Sequence, residues 1–206
     1  MHLIGQQGVG ILLFVVLALQ GGSMLICAKR FLQIRPEGQG IVVMAENCLN
    51  TAILILFTPL IAVSLIMGWY QTLDLTHFTI AMPWLVHGLE AIGVALIACG
   101  TAMVVLGFLA LRKTFQPGGF APRSQDRLVT WGVYSLVRNP LNAGVLSVTL
   151  GLALVVQSIF IIALFVIYLI LVLRVISIEE DQLSEAFGEE YRSYRQKARR
   201  LVPLIY

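Results

Sequence analysis

Two adjacent acids, Glu179 and Glu180, stand where a long apolar stretch gives way to a charged tail. Carboxylates at the edge of a membrane are repelled by an anionic lipid surface and need a partner, so acids at such positions are often functional. Arg138, in the loop before the same stretch, is a candidate partner. These side chains suggest a charged site at a membrane surface, either for a ligand or as a structural ion pair.

A third acid, Glu46, lies near the start of an earlier apolar block, with Asn47 and Asn50 on neighbouring turns. Polar side chains within apolar segments are costly in lipid and usually face the protein interior or a ligand. Glu46 is therefore a candidate for contact with the head group of a lipid. A packed polar patch between helices is the alternative.

The composition excludes several classes of protein. The chain has 206 residues, of which 58% are hydrophobic and 12% are charged, whereas soluble domains carry about 25% charged residues. A net charge of +3 on so apolar a chain does not indicate a nucleic-acid binder. Neither an HExxH metal motif nor a dinucleotide-binding glycine pattern occurs, so we expect no metal and no nucleic acid as partners.

Long apolar blocks account for this composition, and they span residues 9–28, 41–70, 88–111 and 144–173. The second block contains Pro59, which predicts a kink. The fourth block would rise about 45 Å as a single helix, too long for one crossing unless it is steeply tilted. The alternative is a hairpin of two short helices that turns near Gln157 and Ser158.

The positions of the positive charges favour the hairpin. All 14 lysines and arginines follow the first, third or fourth block, and none precedes the first or lies between the second and third. Five crossings put all of them on one side, as the positive-inside rule expects of the cytoplasm. We therefore predict an all-α integral membrane protein with about five transmembrane helices, the N-terminus outside, and the C-terminus and active site cytoplasmic.

The charged tail shows helical periodicity. Leu183, Phe187, Tyr191 and Tyr194 recur at spacings of four, four and three, which predicts a helix beginning near Ile178. The basic residues at its far end would also suit an amphipathic helix lying on anionic lipid.

Two motifs in this order resemble the isoprenylcysteine carboxyl methyltransferase and phospholipid methyltransferase family. The first is GxYxxxRxP, from Gly132 to Pro140, and the second is EExxLxxxFGxxYxxY, from Glu179 to Tyr194. The resemblance covers about residues 88–203. It implies a single membrane domain in which residues 88–206 form a methyltransferase-like core and residues 1–87 are variable helices that select the substrate. It also implies S-adenosylmethionine as the cofactor. The loop from Arg112 to Asn142, the hairpin ends and the C-terminal helix would enclose it.

The sequence departs from the family pattern at two positions. The family's RHP motif reads Arg138, Asn139, Pro140 here, and asparagine can form hydrogen bonds but cannot act as a base near neutral pH. The usual tyrosine two positions after the proline is Asn142.

The resemblance assigns roles to residues by their match to the motifs. Glu179 or Glu180 would hold the ammonium of the cofactor and Arg138 its carboxylate, while Tyr134 and Tyr191 would flank the adenine or the sulfonium. Structural pairing of Glu180 with Arg138 or Arg195, and simple packing of the tyrosines, are the alternatives. The predicted cofactor-binding set is Tyr134, Arg138, Asn139, Pro140, Glu179, Glu180 and Tyr191, and the predicted catalytic set is Arg138, Asn139 and Glu46.

The methyl acceptor implied by the resemblance is a lipid or lipidated molecule in the membrane. A carboxylate acceptor is slightly favoured, because it is already ionised and no histidine is expected on the inner side. Glu46 or Glu179 could instead take the proton of an amine. A non-catalytic membrane scaffold and an NADPH-dependent reductase related to membrane sterol reductases are the alternative functions.

Overall fold

The protein is a bundle of α-helices. The computed structural model describes residues 5–31, 40–70, 76, 78, 80–111 and 127–201. An isolated β-bridge pairs Val137 with Arg199. The helices are α1 (Gln6–Phe31), α2 (Ile41–Ile66), α3 (Pro83–Leu111), α4 (Pro140–Val156) and α5 (Ile159–Lys197).

Four of the helices have the length and composition of membrane spans. These are α1, α2, α3 and α5, whereas α4 has 17 residues and rises only about 25 Å. Large apolar side chains cover the outside of the bundle, as a lipid solvent requires, and Trp69 and Trp84 are exposed near the ends of α2 and α3. The chain is therefore a multi-pass membrane protein, as its apolar blocks predict.

The fourth apolar block folds back on itself at the predicted turn. Gln157 ends α4 in the left-handed conformation with φ 53°, and Ser158 is the N-cap of α5. The link between α2 and α3 closes over this turn, because the Ile159 N–H donates to the Thr76 carbonyl at 3.3 Å and the Phe78 N–H donates to the Gln157 carbonyl at 3.0 Å.

Glycines set the position of α4 against α3. A Cβ atom on Gly100 would lie 2.5 Å from the Gly144 carbonyl oxygen, and one on Gly93 would lie 2.6 Å from the Gly151 carbonyl oxygen. The two backbones thus touch at points seven residues apart along each helix. Such close approach is typical of small residues at helix contacts in membranes.

The irregularity predicted at Pro59 is a π-helical turn over Ile53–Phe57 within α2. Proline has no N–H to donate and its ring crowds the preceding turn, so regular hydrogen bonding fails just before it. The Ile53 carbonyl accepts both the backbone N–H of Thr58 and, at 2.7 Å, its hydroxyl.

Two expectations about the C-terminal part were wrong. The second arm of the hairpin is not short, and no separate helix begins near Ile178, because α5 runs without a break from Ile159 into the charged tail. The residues between Leu173 and Phe187 include no glycine or proline, so nothing in them ends a helix. The break falls instead at Gly188, whose φ of 51° and ψ of −121° are accessible to glycine alone.

Candidate functional site

The loop before α4 and the segment after α5 meet through their backbones. The Arg138 N–H donates to the Arg199 carbonyl at 2.7 Å, and the Arg199 N–H donates to the Leu136 carbonyl at 3.1 Å. The Asn139 side-chain amide adds a hydrogen bond to the Arg200 carbonyl at 3.0 Å. Asn139 thus fastens the tail to the start of α4, where Pro140 occupies the first helical turn.

Arg138 and Glu180, 42 positions apart, form an ion pair at this junction. Nε and Nη2 of Arg138 both donate to Oε1 of Glu180, at 3.0 and 2.8 Å. Nη1 donates to the Arg195 carbonyl at 3.2 Å and to the Ala198 carbonyl. The two side chains are only 10% and 7% exposed. This geometry is possible only because the hairpin returns α5 to the side on which α4 begins.

A second arginine shares the same carboxylate. Nε of Arg200 lies 3.4 Å from Oε2 of Glu180, and its Nη2 donates to the Ser177 hydroxyl at 2.7 Å. Two guanidinium groups therefore face one carboxylate, and the cluster carries a net positive charge. Its members, Arg138, Glu180 and Arg200, are called the inner cluster below.

The periodic residues Leu183, Phe187, Tyr191 and Tyr194, called the tyrosine stripe below, pack together beside the inner cluster. Tyr191 and Tyr194 pack edge to face with centroids 6.0 Å apart, and Leu183 and Phe187 pack against them. The Tyr194 hydroxyl donates to the Tyr134 carbonyl at 2.7 Å. Tyr134 therefore reaches the stripe through its backbone, and its side chain is itself buried.

Tyr191 differs from its neighbour because its hydroxyl donates to no acceptor among the described residues, although the residue is only 1% exposed. The Arg138 guanidinium lies close to this hydroxyl, but it can only donate. Tyr191 lies in the charged part of α5, beyond the acids that end its membrane-spanning stretch. Burial, reinforced by the negative charge of Glu180, raises the pKa of Tyr191 to about 12. The phenol therefore keeps its proton and is a hydrogen-bond donor in need of an acceptor.

Glu46 lies in a different cluster. It is on α2 and 4% exposed, and its Oε1 accepts a hydrogen bond from the fully buried Tyr168 hydroxyl of α5 at 3.3 Å. Glu179 is half-buried and close enough to Tyr168 for its charge to act on the phenol. No hydrogen bond or ion pair joins Glu46 to the inner cluster in the described part of the chain.

Most of the predicted cofactor residues thus come together, while Glu46 lies apart and the charge of Glu179 acts on Tyr168. The sequence arguments did not find Tyr168, because nothing in the sequence distinguishes a tyrosine that forms a polar contact inside an apolar run from one that only packs in the core. They also gave no role to Arg200, which lies six residues beyond the second motif. The 112–126 part of the loop expected to cover the site lies outside the described residues.

The described residues contain no group of three or more His, Cys, Asp or Glu side chains that could hold a metal ion. A model of the phospholipid methyltransferase family matches residues 89–190. This range includes Tyr134, Arg138 and Glu180, whereas Glu46, Tyr191, Tyr194 and Arg200 lie outside it. No curated protein sequence matches the chain significantly.

Proposed function

We propose, from its membership of the phospholipid methyltransferase family, that this membrane methyltransferase transfers a methyl group from S-adenosylmethionine to a lipid or lipidated acceptor within the bilayer. The observation that carries the proposal is the inner cluster together with the buried Tyr191 hydroxyl, which lacks an acceptor. These groups lie in the part of the chain that matches the family or directly beside it.

The residues fit the amino acid end of this cofactor, which carries an ammonium and a carboxylate. Oε2 of Glu180 has a single long contact, with Arg200 at 3.4 Å, and so retains capacity for an ammonium. Four of the five guanidinium N–H groups of Arg138 are used, which leaves one donor for a carboxylate. The Tyr191 hydroxyl would be a second donor and would gain its missing partner.

The cofactor supplies a methyl group already activated by a sulfonium, so the protein needs mainly to position the acceptor and to exclude water. Glu180 and Arg138, each at most 10% exposed, would hold the cofactor in a nearly dry site. The rings of Tyr134 and Tyr191 would favour the positive sulfonium by cation–π attraction. Asn139 would act only by orienting groups, since its amide is already bound to the tail.

The acceptor would reach the site sideways from the bilayer, with α1 and α2 selecting it. Glu46 would face its head group from α2, either orienting a carboxylate through an intervening donor or taking the proton of an amine. The concentration of arginine and lysine at the inner-cluster side supports a cytoplasmic active site with the N-terminus outside.

Calorimetry of S-adenosylmethionine binding to the purified full chain in detergent tests the proposal. We expect Glu180→Gln and Tyr191→Phe each to weaken binding about tenfold, the effect of losing one charged or well-formed hydrogen bond. Glu185→Gln, at an exposed position on the same helix, is the matched control and should bind like the wild type. A wild-type protein that binds no S-adenosylmethionine refutes the proposal: the scaffold alternative then stands, or the reductase alternative if NADPH binds instead.

A further inference from the structure

A small cavity lies at mid-depth of the bundle, between α1, α2, α4 and α5. Its volume is about 30 Å³, and its lining is apolar except for Gln20, Thr58 and Thr149. Gln20 is near the middle of α1 and Thr149 near the middle of α4. The cavity is therefore far from the aqueous surfaces that lie at the helix ends.

Gln20 brings an unsatisfied donor to this cavity. The residue is 5% exposed, and its Nε2 has no hydrogen-bond partner among the described residues. Leaving an amide N–H unpaired in hydrocarbon is costly, and polar side chains inside membrane spans often mark ligand paths. Something with an acceptor atom is therefore expected in the cavity.

The two threonines present acceptors of their own. The Thr149 hydroxyl donates to the Val145 carbonyl at 2.9 Å, and the Thr58 hydroxyl donates to the Ile53 carbonyl at 2.7 Å. Because each hydroxyl has used its hydrogen, only its oxygen lone pairs face other partners. A ligand group that both accepts and donates, such as an alcohol, would match the amide and one threonine together.

The wall formed by α2 is the π-helical turn at Ile53–Phe57, a feature that often occurs at functional sites. Leu54 and Phe57 from this turn and Leu164 from α5 line the cavity and are only half-buried. These three side chains therefore separate the cavity from the lipid-facing surface by no more than their own thickness. An occupant can come from the bilayer without passing through water.

We infer that this cavity binds a hydroxyl group carried part-way along the chain of a lipid whose head group lies near the inner cluster. The inference rests on the proposed function for the position of the head group. Thr149 follows Pro140 by nine residues, so the hydroxyl would sit about 14 Å from the start of α4. The space of about 30 Å³ exceeds the roughly 10 to 15 Å³ that one water-sized group needs. It therefore admits a hydroxyl group and leaves the rest of the lipid chain on the lipid-facing surface outside.

Thermal unfolding of the purified full chain in detergent, with added 12-hydroxystearate or stearate, tests this site. The two fatty acids share their head group and chain length and differ by one mid-chain hydroxyl. We expect the apparent Kd of the wild type to be about fivefold lower for 12-hydroxystearate, as one modest hydrogen bond provides. Gln20→Leu should bind both fatty acids equally, whereas Gln7→Leu, at an exposed position on α1, should keep the preference.

Equal affinity of the wild type for the two fatty acids would overturn the inference and assign the cavity to a water molecule. A preference that survives in Gln20→Leu would also overturn it. Thr149→Val preserves side-chain shape, so its reduced preference would support the site even if Gln20→Leu did not fold. S-adenosylmethionine binding, measured on the same samples, separates the two proposals. A wild-type protein that does not bind S-adenosylmethionine refutes the methyltransferase function, while the fatty-acid comparison still tests the cavity.

Discussion

Removal of Glu180 or Arg138 tests the ion pair on which the candidate site is built. Glu180→Leu leaves the Arg138 guanidinium buried without a counterion, and breaking such a buried pair costs about 3 kcal/mol or more. Arg138→Met leaves Glu180 with its contact to Arg200 but deprives two carbonyls of their donor, at about 1 kcal/mol each. We therefore expect each single change to destabilise the protein by about 3 kcal/mol.

The double variant distinguishes a coupled pair from two independent residues. Arg138→Met with Glu180→Leu removes both charges together. It leaves the two orphaned carbonyls and an Arg200 without its carboxylate, at about 1 kcal/mol each, so its cost should be about 3 kcal/mol instead of about 6. Reversible unfolding in mixed micelles, followed by circular dichroism, gives the required free energies. The exposed pair Arg192 and Glu189, 69% and 84% exposed on the same helix, is the matched control, with an expected coupling below about 0.5 kcal/mol.

Additivity would refute this reasoning. If the costs of the two single changes sum to that of the double variant within about 0.5 kcal/mol, the two side chains do not interact in the folded protein. The inner cluster would then not exist as described, and the proposed cofactor site would lose its basis.

Four further outcomes follow from the geometry, each measured by the same unfolding assay. Gly100→Ala should cost about 2 kcal/mol or more, because its Cβ meets a carbonyl of α4 at 2.5 Å; Gly88→Ala, with open space around it, should be neutral or slightly stabilising. Gly188→Ala should cost about 1 to 3 kcal/mol through backbone strain, with no such effect if the helix straightens there. Tyr194→Phe should cost about 1 kcal/mol through its lost hydrogen bond. The unfolding free energy should fall as pH rises from about 10 to about 12, since the folded protein holds the Tyr191 proton more tightly than the unfolded chain, and Tyr191→Phe should remove that part of the slope.

The membrane architecture was predictable because lipid imposes strong rules on sequence. The charge asymmetry and the polar pair Gln157 and Ser158 were enough to predict the hairpin, and the hairpin brings Arg138 to Glu180. The continuity of α5 was missed, because the change from apolar to charged residues at Glu179 marks the membrane surface and not the end of a helix. At Glu179 the surroundings of α5 change from lipid to water, but its backbone hydrogen bonds continue unchanged.

Other parts of the site left no readable pattern. The bonds between Leu136, Arg138 and Arg199 are made by main-chain atoms, which every residue type possesses. Whether a single polar residue in an apolar helix, such as Gln20, has a partner depends on the packing of distant helices. Contacts of these two kinds can be identified only from the three-dimensional structure.

The order in which the chain is synthesised gives the Arg138 contacts a further consequence. Glu180, Arg195, Ala198 and Arg199, which hold the arginine, follow it by 42 to 61 positions. At ribosomal rates of about 5 to 20 residues per second, about 3 to 12 seconds pass before all of them are translated. During that interval α1 to α3 can already be inserted, but the junction must stay open. Assembly of the inner cluster thus comes after the insertion of α1 to α3, and a ribosome that stalls before residue 180 leaves Arg138 at the membrane surface without its carboxylate.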